Sequence, residues 1–219
     1  MRVLIGGEYS GTIRDAFLAF GHDAWSCDMS PTQSPGPHFQ CDWWEVMGDD
    51  WDLGIFHPTC TYLANSGAKH LYNGMKKENG INRDRWAKME QAAHEFKCLK
   101  DDKRIKKKVL ENPIMHGHAR KIIGPANIQI VQPWWFGHKE MKATCLWLDD
   151  LPELAATDIV GPPPDDPVEK KKWEKVFRMA PTDDPEVRRM ARSKTCAGLA
   201  AAMASQWGGA KHRERLRDG

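Results

Sequence analysis

Three short stretches of this 219-residue chain carry residue types that suit chemistry. Cys60 lies in HPTCTYLANSG, just past an apolar run and ahead of a glycine-bearing loop. A thiolate there, activated by backbone amides or a nearby cation, is a nucleophile. The commoner role of a single cysteine is that of a small buried hydrophobe. Glu111, in VLENP, closes a second apolar run, where a carboxylate is costly unless it is paired or used. A pKa raised by burial would make it a proton donor; otherwise it escapes to solvent at the end of the run. In the third stretch, GGEYSG, the glycines Gly6, Gly7 and Gly11 let backbone approach a ligand closely, or simply make a tight turn. Their spacing is not GxGxxG, which argues against a dinucleotide. Asp28 and Asp42 are placed either to accept bonds from ribose hydroxyls or to stand as solvated loop carboxylates. Such a set suits a nucleoside cofactor without a pyrophosphate.

Short strands and helices must hold these stretches in place. RVLIG at 2–6 reads as a strand, and TIRDAFLAFG as a helix with Ile13, Ala16, Phe17 and Phe20 on one face, ended by Gly21. DAWSC at 23–27 is a second strand, followed by the proline-rich loop SPTQSPGPH. WDLGIF is a short buried strand that ends at HPTCTY. From Arg83 to Leu99, residues Trp86, Met89, Ala93, Phe96 and Leu99 mark an amphipathic helix. KKKVLENP reads as a basic turn, a strand and a proline stop, and IQIVQ and TCLWL as further strands. A loop-rich stretch runs from Asp149 to Arg192, then an Ala-rich helix from Cys196 to Trp207 and a basic tail, KHRERLRDG. This alternation predicts a parallel α/β sheet. Ligands bind such sheets beyond the carboxyl ends of the strands, where all three stretches fall.

Composition narrows the classes. Hydrophobic residues make up 41% and charged residues 28%, and mean hydropathy is −0.63, which suits one globular domain with an insertion. No apolar run approaches the roughly 18 residues of a membrane span, and MRVLIGGEYSG does not read as a signal peptide, so a cytoplasmic protein without a membrane partner is expected. A net charge of +2 excludes a strongly basic histone-like protein. The six cysteines form no CxxC pair and read as free thiols in a reducing compartment. Among His57, His116, His118 and His138, the pair His116-x-His118 lacks a ligand partner at metal spacing, so no metal is expected. The pattern HxE…PCxxC is missing, which argues against a zinc deaminase. MKK at 75–77, KDDKRIKKK at 100–108 and KHRERLR at 211–217 are solvated faces or phosphate contacts.

The ordered set EYSG–TIRDAF, CDMSP, QCDWW, DLGIFHPTC, VLENP, FGHKEMKATCLWL and SKTCAGLAAAMA resembles the cytosine carbon-5 DNA methyltransferases across almost the whole chain. The resemblance implies a Rossmann-like S-adenosylmethionine-dependent methyltransferase fold with a mostly parallel central sheet. It implies a catalytic and cofactor-binding core at 1–148, a reduced target-recognition insertion at 149–192, and a C-terminal helix returning to the core, with the basic tail, at 193–219. Cys60 then resembles the nucleophile that attacks carbon 6 of cytosine, Glu111 the residue that protonates ring nitrogen 3, and Lys142 the remaining cation of a Gln-x-Arg-x-Arg strand. Tyr9, Ser10, Gly11, Thr12, Asp28, Met29, Asp42, Trp43, Pro58 and Thr195 would line the S-adenosylmethionine pocket. DNA is the implied partner, with the base flipped out of the helix. RNA or a free nucleotide as substrate, a modified cofactor, or a non-catalytic DNA-binding protein of this fold are the alternatives. The compact length suggests a phage or bacterial source.

The chain departs from the family pattern at Pro58-Thr59-Cys60, where the family has Pro-Pro-Cys, and at Glu111-Asn112-Pro113, where it has Glu-Asn-Val. Glu140-x-Lys142-x-Thr144 replaces Gln-x-Arg-x-Arg, and Ser193-Lys194-Thr195 replaces Gly-Asn. So few residues between the last two motifs imply loose reading of DNA sequence.

Overall fold

Alternate residues of the apolar runs enter opposite faces of one sheet, as a period of two requires. Val3, Ile5, Leu53, Ile55, Val109, Leu146 and Leu148 pack into one core layer. Their neighbours Leu4, Phe56, Leu110, Cys145 and Trp147 pack into the other. Each fully buried Leu, Ile or Phe contributes about 1.5–3 kcal/mol to holding those layers shut. The computed structural model describes residues 1–175, 187, 190 and 192–209.

Seven strands are described: β1 (Arg2–Gly6), β2 (Asp23–Cys27), β3 (His38–Phe39), β4 (Leu53–Phe56), β5 (Lys107–Pro113), β6 (Asn127–Val131) and β7 (Thr144–Asp149). They lie in the order β3-β2-β1-β4-β5-β7-β6. The pairings from β3 through β5 are parallel, whereas β7 runs antiparallel to both β5 and β6. The sheet is thus mostly parallel, and one reversed strand is the exception to a wholly parallel reading.

Helices α1 (Thr12–Ala19), α2 (Trp43–Val46), α3 (Arg83–Asp101), α4 (Gly117–Ile123), α5 (Pro167–Trp173) and α6 (Ala197–Trp207) complete the described elements, with several short 3-10 turns. Ile13 and Phe17 of α1 and Leu199, Ala200, Met203 and Trp207 of α6 cover one face. Met89, Ala93, Phe96 and Leu99 of α3 and Ala119 and Ile123 of α4 cover the other. The result is a doubly wound, Rossmann-like α/β fold. Strand order reverses between β1 and β4, which places the ligand crevice of such a fold beyond Gly6 and Phe56.

Three local readings change. Pro113 does not stop β5 but forms its last pair, with Thr144. Helices α2 and α4, capped by Asp42 and His116, form where the sequence suggested no element, and α5 forms within the loop-rich stretch. The basic run 100–108 is largely neutralised within the fold: Lys100 pairs with Asp101, Arg104 with Asp102, and Lys103 and Lys108 with Asp149. Lys108 is fully buried, so it is no phosphate contact. The tail at 211–217 and residues 176–186 of the expected insertion lie outside the described residues. No helix of the described residues is long and apolar enough to cross a membrane.

Candidate active site

The turn between β1 and α1 is built from backbone and buried charge. Gly7 and Glu8 both donate their amides to Cys27 O, at 2.7 and 3.2 Å. Gly7 has φ +76, and a Cβ there would lie 2.7 Å from His57 O, so its bareness lets the ends of β1 and β4 close together. Glu8 is buried and accepts from Ile13 N at 2.7 Å and Arg14 N at 3.2 Å, capping α1 where Gly11 has no side chain to do so. Burial raises the Glu8 pKa against those two bonds and the charges of His57 and Arg14.

Gly11 lies against a buried neighbour rather than open space. At φ +75, a side chain there would run into the Arg14 guanidinium and the Ser34 Cβ. Arg14 is fully buried and donates to Asp15 Oδ1, Ser26 Oγ, Thr32 Oγ1, Ser34 O and Pro35 O. It knits the proline-rich loop to α1, and Gly11 makes room for it.

The Cys60 loop is braced from three sides. Asn112 Nδ2 of β5 donates to Pro58 O at 3.2 Å. Arg85 of α3 donates to Thr61 O at 2.8 Å and lies 4.3 Å over the Tyr62 ring. His116 donates through Nε2 to Tyr62 O at 3.0 Å and through its backbone to Leu63 O at 3.1 Å. Leu63 and Ala64 both donate to Cys60 O, which closes a tight turn and leaves Cys60 exposed. A buried small hydrophobe it is not. Lost hydration of the sulfur, then the charge of Glu111, push the thiol pKa up, while a backbone hydrogen bond, Lys142 and Arg192 pull it down.

Glu111 faces a cavity of about 280 Å³ together with His138, Glu140, Lys142, Thr144, Lys175, Lys194, Thr195 and Cys196. Its Oε2 lies 3.1 Å from His57 Nδ1, and the two side chains are 17% and 12% exposed. Burial is the largest single influence on Glu111 and raises its pKa. The hydrogen bond and charge of His57, with the charge of Lys142, outweigh it and hold the carboxyl below its ordinary value. The expectation of a raised pKa is therefore corrected. Lys142 Nζ donates to Arg192 O at 3.0 Å and Lys194 O at 3.1 Å, leaving one of its three donors for the cavity.

A second, narrower cleft is lined by Gly7, Glu8, Tyr9, Ser10, His57, Ser193, Lys194 and Thr195. Lys194 and Thr195 line both spaces, and the His57–Glu111 pair joins one to the other. Tyr9 is buried, and its hydroxyl donates to Met190 O. Ser10 Oγ lies 3.1 Å from Thr12 Oγ1 at the start of α1.

The remaining expected pocket residues line neither space. Asp28 follows β2 and accepts from Ser30 N at 2.8 Å, beside the exposed Met29. Asp42 is exposed and caps α2 through Trp44 N at 3.1 Å. Trp43 packs edge-on to Phe56, and its Nε1 is buried without a partner among the described residues. Sequence reading missed Arg85, Asn112 and His116 as braces of the Cys60 loop. It also weighed His57 only as a metal ligand. Among the described residues no group of three or more His, Cys, Asp or Glu side chains is arranged to hold a metal ion.

No family model matches the chain, and no curated protein does. Among solved structures it is similar to the methyltransferase EhMeth of Entamoeba histolytica, at 12% identity over 73% of this chain and 57% of that one, with a TM-score of 0.44. It is similar to a putative DNA modification methyltransferase encoded within prophage Cp of E. coli, at 13% identity over 68% and 46% of the two chains and a TM-score of 0.39. It is also similar to the S. pombe Dnmt2 methyltransferase, at 13% identity over 84% and 57%, with a TM-score of 0.36. The chain spans about half the length of these structures.

Proposed function

We propose that this protein transfers a methyl group from S-adenosylmethionine to carbon 5 of cytosine in DNA, through a covalent bond from Cys60 to carbon 6 of the base. One observation carries the reading. Glu111 and Lys142 line one cavity at the carboxyl ends of the sheet, and Glu111 meets His57, three residues before the exposed Cys60 on the same loop, at 3.1 Å. A nucleophile, an acid–base group and a cation are what addition to a pyrimidine ring requires.

Residues beside the cavity fit a nucleoside cofactor. Gly7 keeps backbone bare at the narrow cleft, and the buried Trp43 N–H is a donor still lacking an acceptor. Tyr9, Ser10 and Thr195 would hold it from the cleft, with Gly11, Thr12, Asp28, Met29, Asp42, Trp43 and Pro58 around it. When bound there, S-adenosylmethionine supplies the methyl group.

The chain's own residues do the rest. Glu111 holds ring nitrogen 3 and gives it a proton as Cys60 sulfur bonds to carbon 6, which makes carbon 5 nucleophilic. Lys142 directs its free N–H to the base carbonyl. Loss of the carbon-5 proton to water then expels Cys60, the nitrogen 3 proton returns to Glu111, and the methylated base is released. The thiol must first ionise against its reduced hydration and the Glu111 charge, so the rate rises toward alkaline pH until the acid is lost.

The test is mass spectrometry of DNA digested after incubation with protein and S-adenosylmethionine. 5-Methylcytosine is expected from the wild type and none from Cys60→Ser. DNA bearing 5-fluorocytosine should trap the wild type covalently, because fluorine cannot leave as a proton does. Product on RNA or on deoxycytidine monophosphate, with none on DNA, would move the substrate. A Cys60→Ala protein that still forms the adduct would remove Cys60 from the mechanism. Sequencing of the methylated sites should show a short or loose preference, since each good bidentate base contact is worth only about 1–3 kcal/mol and few residues can reach the base edges.

A further inference from the structure

His57 stands at the carboxyl end of β4 with its backbone amide bonded to Gly6 O at 2.9 Å. Its carbonyl lies against Gly7. One ring nitrogen, Nδ1, meets Glu111 Oε2 at 3.1 Å. The other, Nε2, is buried and has no partner among the described residues. A residue needed only to brace the loop would have both nitrogens engaged, as His116 does with Ala119 N and Tyr62 O. An open buried nitrogen instead costs stability, of the order of 1–3 kcal/mol for such a group. The ring lines the narrow cleft, and its carboxylate partner lines the larger cavity.

We propose that His57 is a positioning residue that supplies the proton Glu111 delivers to the base; this rests on the methyl-transfer reading above. Before substrate binds, the pair shares one proton, held on His57 Nδ1 against the Glu111 carboxylate. Glu111 takes that proton from His57 Nδ1 and passes it to ring nitrogen 3, and the imidazolium, which keeps its Nε2 proton, becomes neutral imidazole. When the base is released, the proton returns by the same path. One proton moves and no electrons do, so no further reactant is needed.

The charged groups facing the pair are few and come from separate elements. Glu8, on the β1–α1 turn, is close enough to feel the His57 charge. Lys142, ahead of β7, acts on Glu111. Cys60 follows on the same loop and feels Glu111, and Lys194 lines the cleft ahead of α6. Lys142, like His57, favours the anion at Glu111.

Two measurements decide it. In the ligand-free protein, the Glu111 side-chain carbonyl, labelled with carbon-13, should titrate at higher pH in His57→Gln than in the wild type. Single-turnover methylation should then be followed against pH. A carboxyl alone ordinarily gives up its proton about 2 pH units below an imidazole. The alkaline limb of the His57→Gln profile should therefore move to lower pH by more than one unit. Added imidazole should restore His57→Gly, while pyrazole, of the same shape but a far weaker base, should not. An unmoved Glu111 titration overturns the shared proton. A profile of unchanged shape, lowered only in height, reduces His57 to a brace and overturns the relay. Wild type that makes no methylated cytosine fails the methyl-transfer reading, and the relay with it; the carbon-13 titration then decides the shared proton by itself.

Discussion

The two strand ends that meet at the crevice handle buried charge in opposite ways. Beyond β1, the buried charges are spent on the fold: Glu8 caps α1, and Arg14 binds five acceptors across the proline-rich loop. Beyond β4 and β5, polar groups are left over. His57 Nε2 and Asn112 Oδ1 are buried without partners among the described residues, and Glu111 faces a cavity. Buried polar atoms are nearly always bonded, so a cluster of exceptions marks where something else is meant to bind. Charge alone does not separate the two regions; saturation does.

Substitutions on either side should therefore fail in different ways. The largest expected effect is on activity: Cys60→Ser should lower single-turnover methylation by more than about 10³, some 4 kcal/mol of barrier, with an unchanged melting temperature. A large fall in melting temperature instead would place Cys60 in the saturated class. On the other side, Arg14→Met should cost about 3–5 kcal/mol in urea denaturation, because its acceptors stay buried and unpaired. Gly11→Val is next, at about 1–3 kcal/mol for a side chain at φ +75, with more if Arg14 must move. If Gly11→Val instead keeps full stability and loses only S-adenosylmethionine affinity, the glycine serves the ligand and not Arg14.

The smallest effect concerns pH and contrasts two carboxyls. Glu111 has a lowered pKa, so it contributes stability above the unfolded value of about 4.3, and this is lost as pH falls through its folded value. Glu8 has a raised pKa, so its contribution is present below about 4.3 and is lost as pH rises through its folded value. Urea curves against pH should show the penalty of Glu111→Gln shrinking in acid and that of Glu8→Gln shrinking toward neutral pH. The same trend in both variants would erase the distinction.

Much of the sheet was legible because burial writes itself locally: a short run such as VLIG or TCLWL has few other homes. Cys60 and Glu111 stood out for the same reason, as reactive types at the ends of such runs. What stayed hidden was pairing at a distance. Arg14 reads as one more charge on a helix surface, since nothing nearby announces Ser26, Thr32 and Ser34 as its partners. Lys108 sits in a run of lysines, and its counterion Asp149 comes from another strand. The carboxylate that His57 meets is 54 residues away, so no spacing rule reaches it. The reversed direction of β7 is equally silent, because an apolar strand looks the same read either way.

The segment ahead of α6 ties the earliest and latest parts of the chain together. Tyr9 reaches Met190, and Lys142 holds the carbonyls of Arg192 and Lys194. During folding, such ties form only after nearly two hundred residues have been brought into register, and long-range closure of this kind is slow. The crevice is therefore among the last parts of the molecule to take shape. In an intermediate with the β1–β5 sheet formed and α6 undocked, Cys60 would be exposed much as it is in the finished fold, whereas Cys196, at the start of α6, would not yet be packed against the core. Thiol labelling during refolding should report that interval directly, with Cys196 losing reactivity only as α6 settles onto α1.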